Sequence, residues 1–218
     1  MVKAWQGYWH WLSVRLGQAA FRYRSFGPIG FFLPILIFVQ PHYPAHSSVW
    51  DEVADLLGLV VMMVGEGIRL WGLRAAVQST RGKVIKARAL VTTGAYAVIR
   101  NPLYLGNFLI GLGFCVVIGV SWVFLVYGLA CGVFYGVIIF AEEAFLARTY
   151  PTAYAAYRAQ VPRLLPKWPD LARAWKEILI WRGTWKMRKE GYTIAAWLFM
   201  ALVFEFVEDL KHGELWFR

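Results

Sequence analysis

Charge is scarce in this sequence: only 17% of its 218 residues are Asp, Glu, Lys or Arg, against 59% hydrophobic. A soluble domain of this size needs more polar surface, so lipid is the expected solvent. Cysteine is nearly absent as well. Cys115 and Cys131 lie inside apolar runs without metal-ligand spacing, which excludes a disulfide framework and a zinc site and leaves two small core residues. The four histidines, His10, His42, His46 and His212, form no cluster. The N-terminus carries aromatics and arginines rather than a basic tip followed by a compact apolar block, so no cleavable signal peptide is apparent.

What is present is apolar sequence in five stretches, roughly 27–40, 56–73, 103–119, 121–141 and 193–207. The expected fold is all-α, a polytopic membrane bundle of about five transmembrane helices with cytoplasmic interfacial helices. Several stretches fall short of the ~20 residues that cross a bilayer upright. The net charge of +10 is distributed unevenly. Lys3, Arg15, Arg22 and Arg24 precede the first stretch, and residues 41–55 then lack any Lys or Arg. Arg74, Arg81, Lys83, Lys86, Arg88 and Arg100 follow the second, and the turn at 119–121 is bare again. Residues 148–189 are strongly basic, and the tail after Val207 is not. This alternation is the positive-inside pattern, with the N-terminus in the cytoplasm and the C-terminus outside. Basic loops against anionic headgroups account for the charge, and no nucleic-acid partner is expected.

The chain reads as one integral membrane domain over 1–218. Residues 1–55 would hold an interfacial helix and the first span, and 167–218 another interfacial helix and an additional span. Trp5, Trp9, Leu12 and Leu16, and later Leu171, Trp175, Ile178 and Leu179, repeat at helical spacing among basic residues and suit the headgroup layer. Gly128, Gly132 and Gly136 recur every fourth residue and are expected to admit a close helix neighbour. Glu66 and Arg69 are one turn apart within a span, where ionisable groups are costly; they can pair, let Arg69 snorkel, or bind substrate.

The densest polar signal is VIRNPLYLGN at 98–107. Pro102 suits the first helical position and Asn101 before it is a favoured N-cap, so a helix should start here. A helix start is also an anion site, with free amides and the positive end of the dipole, and Arg100 would add charge-assisted hydrogen bonds. A tight turn at 119–121 makes the next two spans an antiparallel hairpin. Their ends, RNPLY and the Glu142–Glu143 pair, should therefore meet. A helix start beside two carboxylates suits a zwitterion such as an amino acid headgroup near a positive sulfur.

LVTTGAYAVIRNPLYLG, then EE, then AYAAYRAQVPRLLP, resembles the membrane methyltransferases, namely the isoprenylcysteine carboxyl methyltransferases, their bacterial relatives and the phospholipid N-methyltransferases. The resemblance covers roughly 56–166. It implies S-adenosylmethionine held at the cytoplasmic helix ends under a C-terminal segment, and a lipid or lipophilic acceptor arriving from the membrane. Tyr96, Arg100, Asn101, Pro102, Tyr104 and Gly106 match the RHPxYxG region as cofactor contacts, together with Glu142, Glu143, Tyr154 and Tyr157. Glu142, Glu143 and Arg163 are the catalytic candidates, and Glu66, Arg69 and Arg148 the candidates for acceptor contact. Asn101 stands where the carboxyl methyltransferases have histidine, which is closer to the phospholipid N-methyltransferase form. Ala95 and Ala97 replace a common Pro and Arg.

A carboxylate acceptor needs no base, whereas an ammonium acceptor must lose a proton. The histidines lie away from the motif, which favours a carboxylate; the NPxYxG form favours an amine. Two other classes fit less well. An NADPH-dependent lipid reductase shares a similar HPxYxG element, but this chain is short and has no evident second phosphate-binding cluster. A non-catalytic membrane subunit or transporter should carry its charges at mid-bilayer, and most lie at one face here.

Overall fold

The computed structural model describes residues 15–22, 27–38, 49–76, 89–167 and 202–203. All regular structure among them is helical. Helix α1 covers residues 15–22, α2 Gly27–Phe38, α3 Val49–Ala76, α4 Pro102–Ile118, α5 Ser121–Thr149 and α6 Pro151–Gln160, with a 3-10 turn at Gly94–Ala97. The all-α expectation holds. The number of spans is a different matter: among the described residues only α5 is both long and apolar enough to cross a membrane. Just 28% of its most apolar window is buried, whereas the core helix of a soluble domain is mostly covered.

The other expected spans differ for identifiable reasons. α2 has 12 residues and contains Pro34, which makes it about 18 Å long at 1.5 Å per residue. α4, with 17 residues, is apolar but short. α3 is long, yet Asp55, Glu66 and Arg69 interrupt it. Its outer face is nonetheless a helical row of exposed apolar side chains, Val49, Val53, Leu56, Leu57, Val60, Met63 and Val64, as a lipid-facing helix requires. The stretches at 5–12, 171–179 and, apart from Leu202 and Val203, 193–207 lie outside the described residues.

α3 runs antiparallel to α4 at close range, and glycine makes that approach possible. A Cβ on Gly58 would sit 2.7 Å from the carbonyl oxygen of Gly113, and one on Gly65 2.7 Å from that of Gly106. Gly72 is less tight, for a Cβ there would lie 3.1 Å from side-chain carbons of Leu103 and Pro102. These are the packing glycines. Gly128, Gly132 and Gly136 do not act as expected, for a Cβ there would meet nothing within 4 Å among the described residues. Their side of α5 carries exposed Leu125, Leu129 and Val133 instead.

The α4–α5 hairpin forms as expected. Gly119 takes the left-handed conformation, φ 68°, and its N–H bonds back to the carbonyls of Cys115 and Val116, the αL closure that glycine permits without a Cβ clash. Near this turn Phe31 and Phe32 of α2 pack on Tyr127 and Phe114. Cys115 is fully buried in that cluster and Cys131 packs against it, two small core residues as read from the sequence. At the opposite end α1 lies against α5 and leaves the polar helix ends free to meet the closing segment 161–167.

Candidate active site at the α4–α5 junction

Glu143 is the hub. Its carboxylate is buried, and three side chains from two chain segments converge on it. Arg163 reaches it as a fork, Nη2 to Oε2 at 2.7 Å and Nε to Oε1 at 3.3 Å. The Asn101 Nδ2 amide donates to Oε1 at 3.3 Å. Arg100 Nη2 lies 3.5 Å from the same oxygen. RNPLY and the acidic pair are thus neighbours, as the hairpin argument requires.

Asn101 does something the sequence reading did not anticipate. It occupies the N-cap position and Pro102 begins the helix, but its side chain makes no capping hydrogen bond. Its Nδ2 group serves Glu143 and the carbonyl of Arg163, the latter at 3.1 Å. The physical reason is burial. Asn101 is only 7% exposed, and its Nδ2 is turned toward a buried carboxylate, a charge-assisted acceptor that a capping geometry for Oδ1 would leave without this donor. The backbone adds a further tie, with Arg100 N–H donating to Pro162 O at 2.9 Å. Together these bonds bind the closing segment to the start of α4.

One carboxylate, Glu143, faces two guanidinium groups, and the start of α4 has no side-chain cap. Arg100 has a side chain 9% exposed, and its Nε and Nη1 have no hydrogen-bond partner among the described residues. Tyr154, also buried, has an unpartnered hydroxyl. Such orphans are expensive in a folded protein and mark a place where a ligand or water completes the set. Burial and then the charge of Glu143 push the Tyr154 phenol up to about 12, so it is neutral and able to donate. Arg163, half exposed, is held charged more firmly by its bond to Glu143.

The remaining candidates fall into two groups. Tyr157 donates its hydroxyl to the carbonyl of Tyr96 at 2.8 Å, tying α6 to the 3-10 turn. Burial raises the Tyr96 phenol, and the charge of Glu142 raises it further. The two adjacent acids, about 100° apart on the helix, point in different directions. Deeper in the bundle Arg69 pairs with Glu66 at 2.7 Å, both side chains largely buried. A Cβ on Gly106 would collide with Arg69 Cγ and lie 2.6 Å from Gly65 O, so the motif glycine gives α3 its close approach. Tyr104 is buried and packs on Tyr135 with ring centroids 5.4 Å apart. Arg148 is exposed in the last turn of α5, beyond the junction.

The sequence reading missed the carbonyls of Pro162 and Arg163 as acceptors, and backbone atoms leave no residue-type signal. It also missed Gly58, Gly65 and Gly72. Their spacing of seven, repeated by Gly106 and Gly113, was available to find them.

Comparison with known proteins agrees with the motif. Residues 53–153 match the phospholipid methyltransferase family. A protein-S-isoprenylcysteine O-methyltransferase of Schizosaccharomyces pombe is 36% identical over 38% of this chain and 36% of its own length. The cobalt-zinc-cadmium resistance protein CzcN of Cupriavidus metallidurans is 31% identical over 64% of this chain and 63% of its own. The nickel-cobalt-cadmium resistance protein NccN of Alcaligenes xylosoxydans xylosoxydans is 28% identical over 77% of this chain and 76% of its own. The matches thus cover well under half of the Schizosaccharomyces enzyme and less than two thirds of CzcN. No solved structure matches. The matched stretch carries Arg100, Asn101, Glu142 and Glu143 of the junction, and Arg163 lies beyond it.

Proposed function

We propose that this protein is an integral membrane methyltransferase that moves a methyl group from S-adenosylmethionine to a lipid-borne or lipophilic acceptor. The observation that carries this reading is the buried Arg100, with two unsatisfied nitrogens, beside an uncapped helix start and a carboxylate. The cofactor's amino acid end is a zwitterion, and these residues fit it. Arg100 and the first-turn amides of α4 would hold its carboxylate. Glu142, adjacent to Glu143 on α5, would serve its ammonium group. Tyr154 would donate its hydroxyl to the bound group. When bound, the cofactor supplies the electrophilic methyl.

The chain's own contribution is positioning. Displacement at a sulfonium needs two reactants held in line, with S-adenosylhomocysteine as the leaving group. An amine acceptor must also give up a proton to a carboxylate such as Glu142 or to water. The Glu143–Arg163 fork and the Asn101 bonds fix the closing segment over the helix start, which keeps water from the reacting groups. The acceptor would be the carboxylate of a prenylcysteine-like compound or a phospholipid amine. The junction would face the cytoplasm, as the loop charges require, with further spans beside α5.

The test is a binding titration of purified protein in nanodiscs with S-adenosylhomocysteine and, in parallel, NADPH. Saturable binding of S-adenosylhomocysteine, weakened at least tenfold by Arg100→Leu in a folded variant, is the expected result. Binding of NADPH alone would replace this reading with that of a reductase.

A further inference from the structure

We propose that Phe21 is a specificity-determining residue, and that α1, which lies outside the stretch matched to the family, walls the acceptor site. The proposal rests on the methyl-transfer reading above.

α1 is placed by its contact face. Gly17 and Phe21 are buried and Ala20 is half-buried, while Gln18 and Arg22 point outward, the i, i+3, i+4 division of an amphipathic helix. Gly17 locks the register. A Cβ there would strike Ala141 Cβ and lie 2.5 Å from the Val137 carbonyl oxygen, so the α1 backbone rests directly on α5. That contact delivers Phe21, 5% exposed, into one apolar cluster with Tyr104, Tyr135, Ile138 and Ile139. Leu164 of the closing segment packs on the same cluster.

The level of this cluster gives it meaning. Tyr104 follows Asn101 by three residues on α4, and Ile139 precedes Glu143 by four on α5. The cluster therefore lies one helical turn into the bundle from the polar junction, on both helices at once. It is the apolar floor of the junction. An acceptor with its polar end at the junction and its tail in the bilayer would run that tail past this floor. Phe21 and Leu164 cover the floor from two sides. Of the two, Phe21 sits on a helix pinned by Gly17 and cannot retreat, so its ring fixes the bulk of the group that fits.

The experiment uses full-length protein in nanodiscs with labelled S-adenosylmethionine. Two acceptor series, S-prenylcysteines and amino-headgroup lipids, carry tails of one to four isoprene units. Phe21→Ala, Phe21→Trp and the outward control Gln18→Ala are compared with wild type, each checked by thermal unfolding; Phe21→Leu replaces the alanine variant if that does not fold. Phe21→Ala should shift the long-to-short rate ratio upward at least about fivefold and Phe21→Trp should shift it downward, since single-methylene differences in apolar pockets change rates by ~10-fold or more. Gln18→Ala should keep the wild-type profile, and S-adenosylhomocysteine affinity should stay within about twofold throughout. Identical tail profiles in all folded variants would overturn the proposal. So would a wild-type protein that binds S-adenosylhomocysteine but methylates neither series. A wild-type protein that does not bind it removes the methyl-transfer reading itself, and the wall with it.

Discussion

The Asn101 side chain reaches across 42 residues of sequence to the carboxylate of Glu143, Nδ2 to Oε1 at 3.3 Å, instead of capping the helix it begins. This inverts a simple expectation about Asn101→Asp. Aspartate is as good an N-cap as asparagine, but here it would set one carboxylate against another and lose the donor. We expect Asn101→Asp to cost about 2 kcal/mol or more, and Asn101→His, which keeps an N–H donor, to cost less. Thermal and chemical unfolding in detergent will rank the two. Equal stability of the aspartate variant and wild type would show that the side chain caps after all.

The Glu143 contacts are unequal. Arg163 is 56% exposed on its side chain, so solvent screens that pair and Arg163→Ala should cost only about 1 kcal/mol or less. Glu143→Gln also strips the buried Arg100 of its carboxylate, and should cost more, about 3 kcal/mol. A double-variant cycle on Glu143 and Arg163 measures the coupling. A coupling equal to the whole Glu143→Gln effect would assign no part of it to Arg100 and Asn101.

The acidic pair should separate by readout. Glu142→Gln is expected to weaken S-adenosylhomocysteine binding about tenfold with stability nearly unchanged. Glu143→Gln should act mainly through stability. Unchanged affinity in the Glu142 variant would move the ammonium contact elsewhere.

Tyr154 combines burial with an unpartnered hydroxyl. Replacing it with Phe removes no internal hydrogen bond, so stability at neutral pH should hold or rise slightly, while S-adenosylhomocysteine binding weakens. The phenol also has a pH signature. Its pKa is raised in the folded state from 10.0 to about 12, so the proton is held more tightly folded than unfolded. Stability is then fully present below pH 10 and falls as pH rises toward 12. In Tyr154→Phe that alkaline loss should be smaller, as melting curves across this range will show.

Two glycines make a contrast in packing. Gly106→Ala places a methyl group on Arg69 and Gly65, and should cost about 1–3 kcal/mol from overpacking. Gly132→Ala meets open space and should be neutral or stabilising by up to about 1 kcal/mol, through helix propensity. Similar losses in both variants would mean that another helix covers the α5 glycines.

Much of this protein was legible from local chemistry. Pro102 at the first helical position, the αL glycine at 119 and the half-turn between α4 and α5 follow from residue types whose backbone preferences do not depend on distant neighbours. The meeting of RNPLY with Glu143 followed from hairpin geometry alone. The family motif supplied the rest of the site as a set of names. Tertiary structure decided which atom each name uses. Whether Asn101 caps or clamps depends on what lies within 3.3 Å of it, and the identity of a residue cannot specify that. Glycines at 128, 132 and 136 and those at 58, 65 and 72 are equally small, yet only the second set meets a facing helix among the described residues, because packing depends on what lies opposite. Phe21 looked like one aromatic among many until α1 was laid on Ala141. Sequence determined the elements and their ends, where the deciding forces are local. The partners of Asn101, Gly106 and Phe21 were decided by contact between segments far apart in the chain.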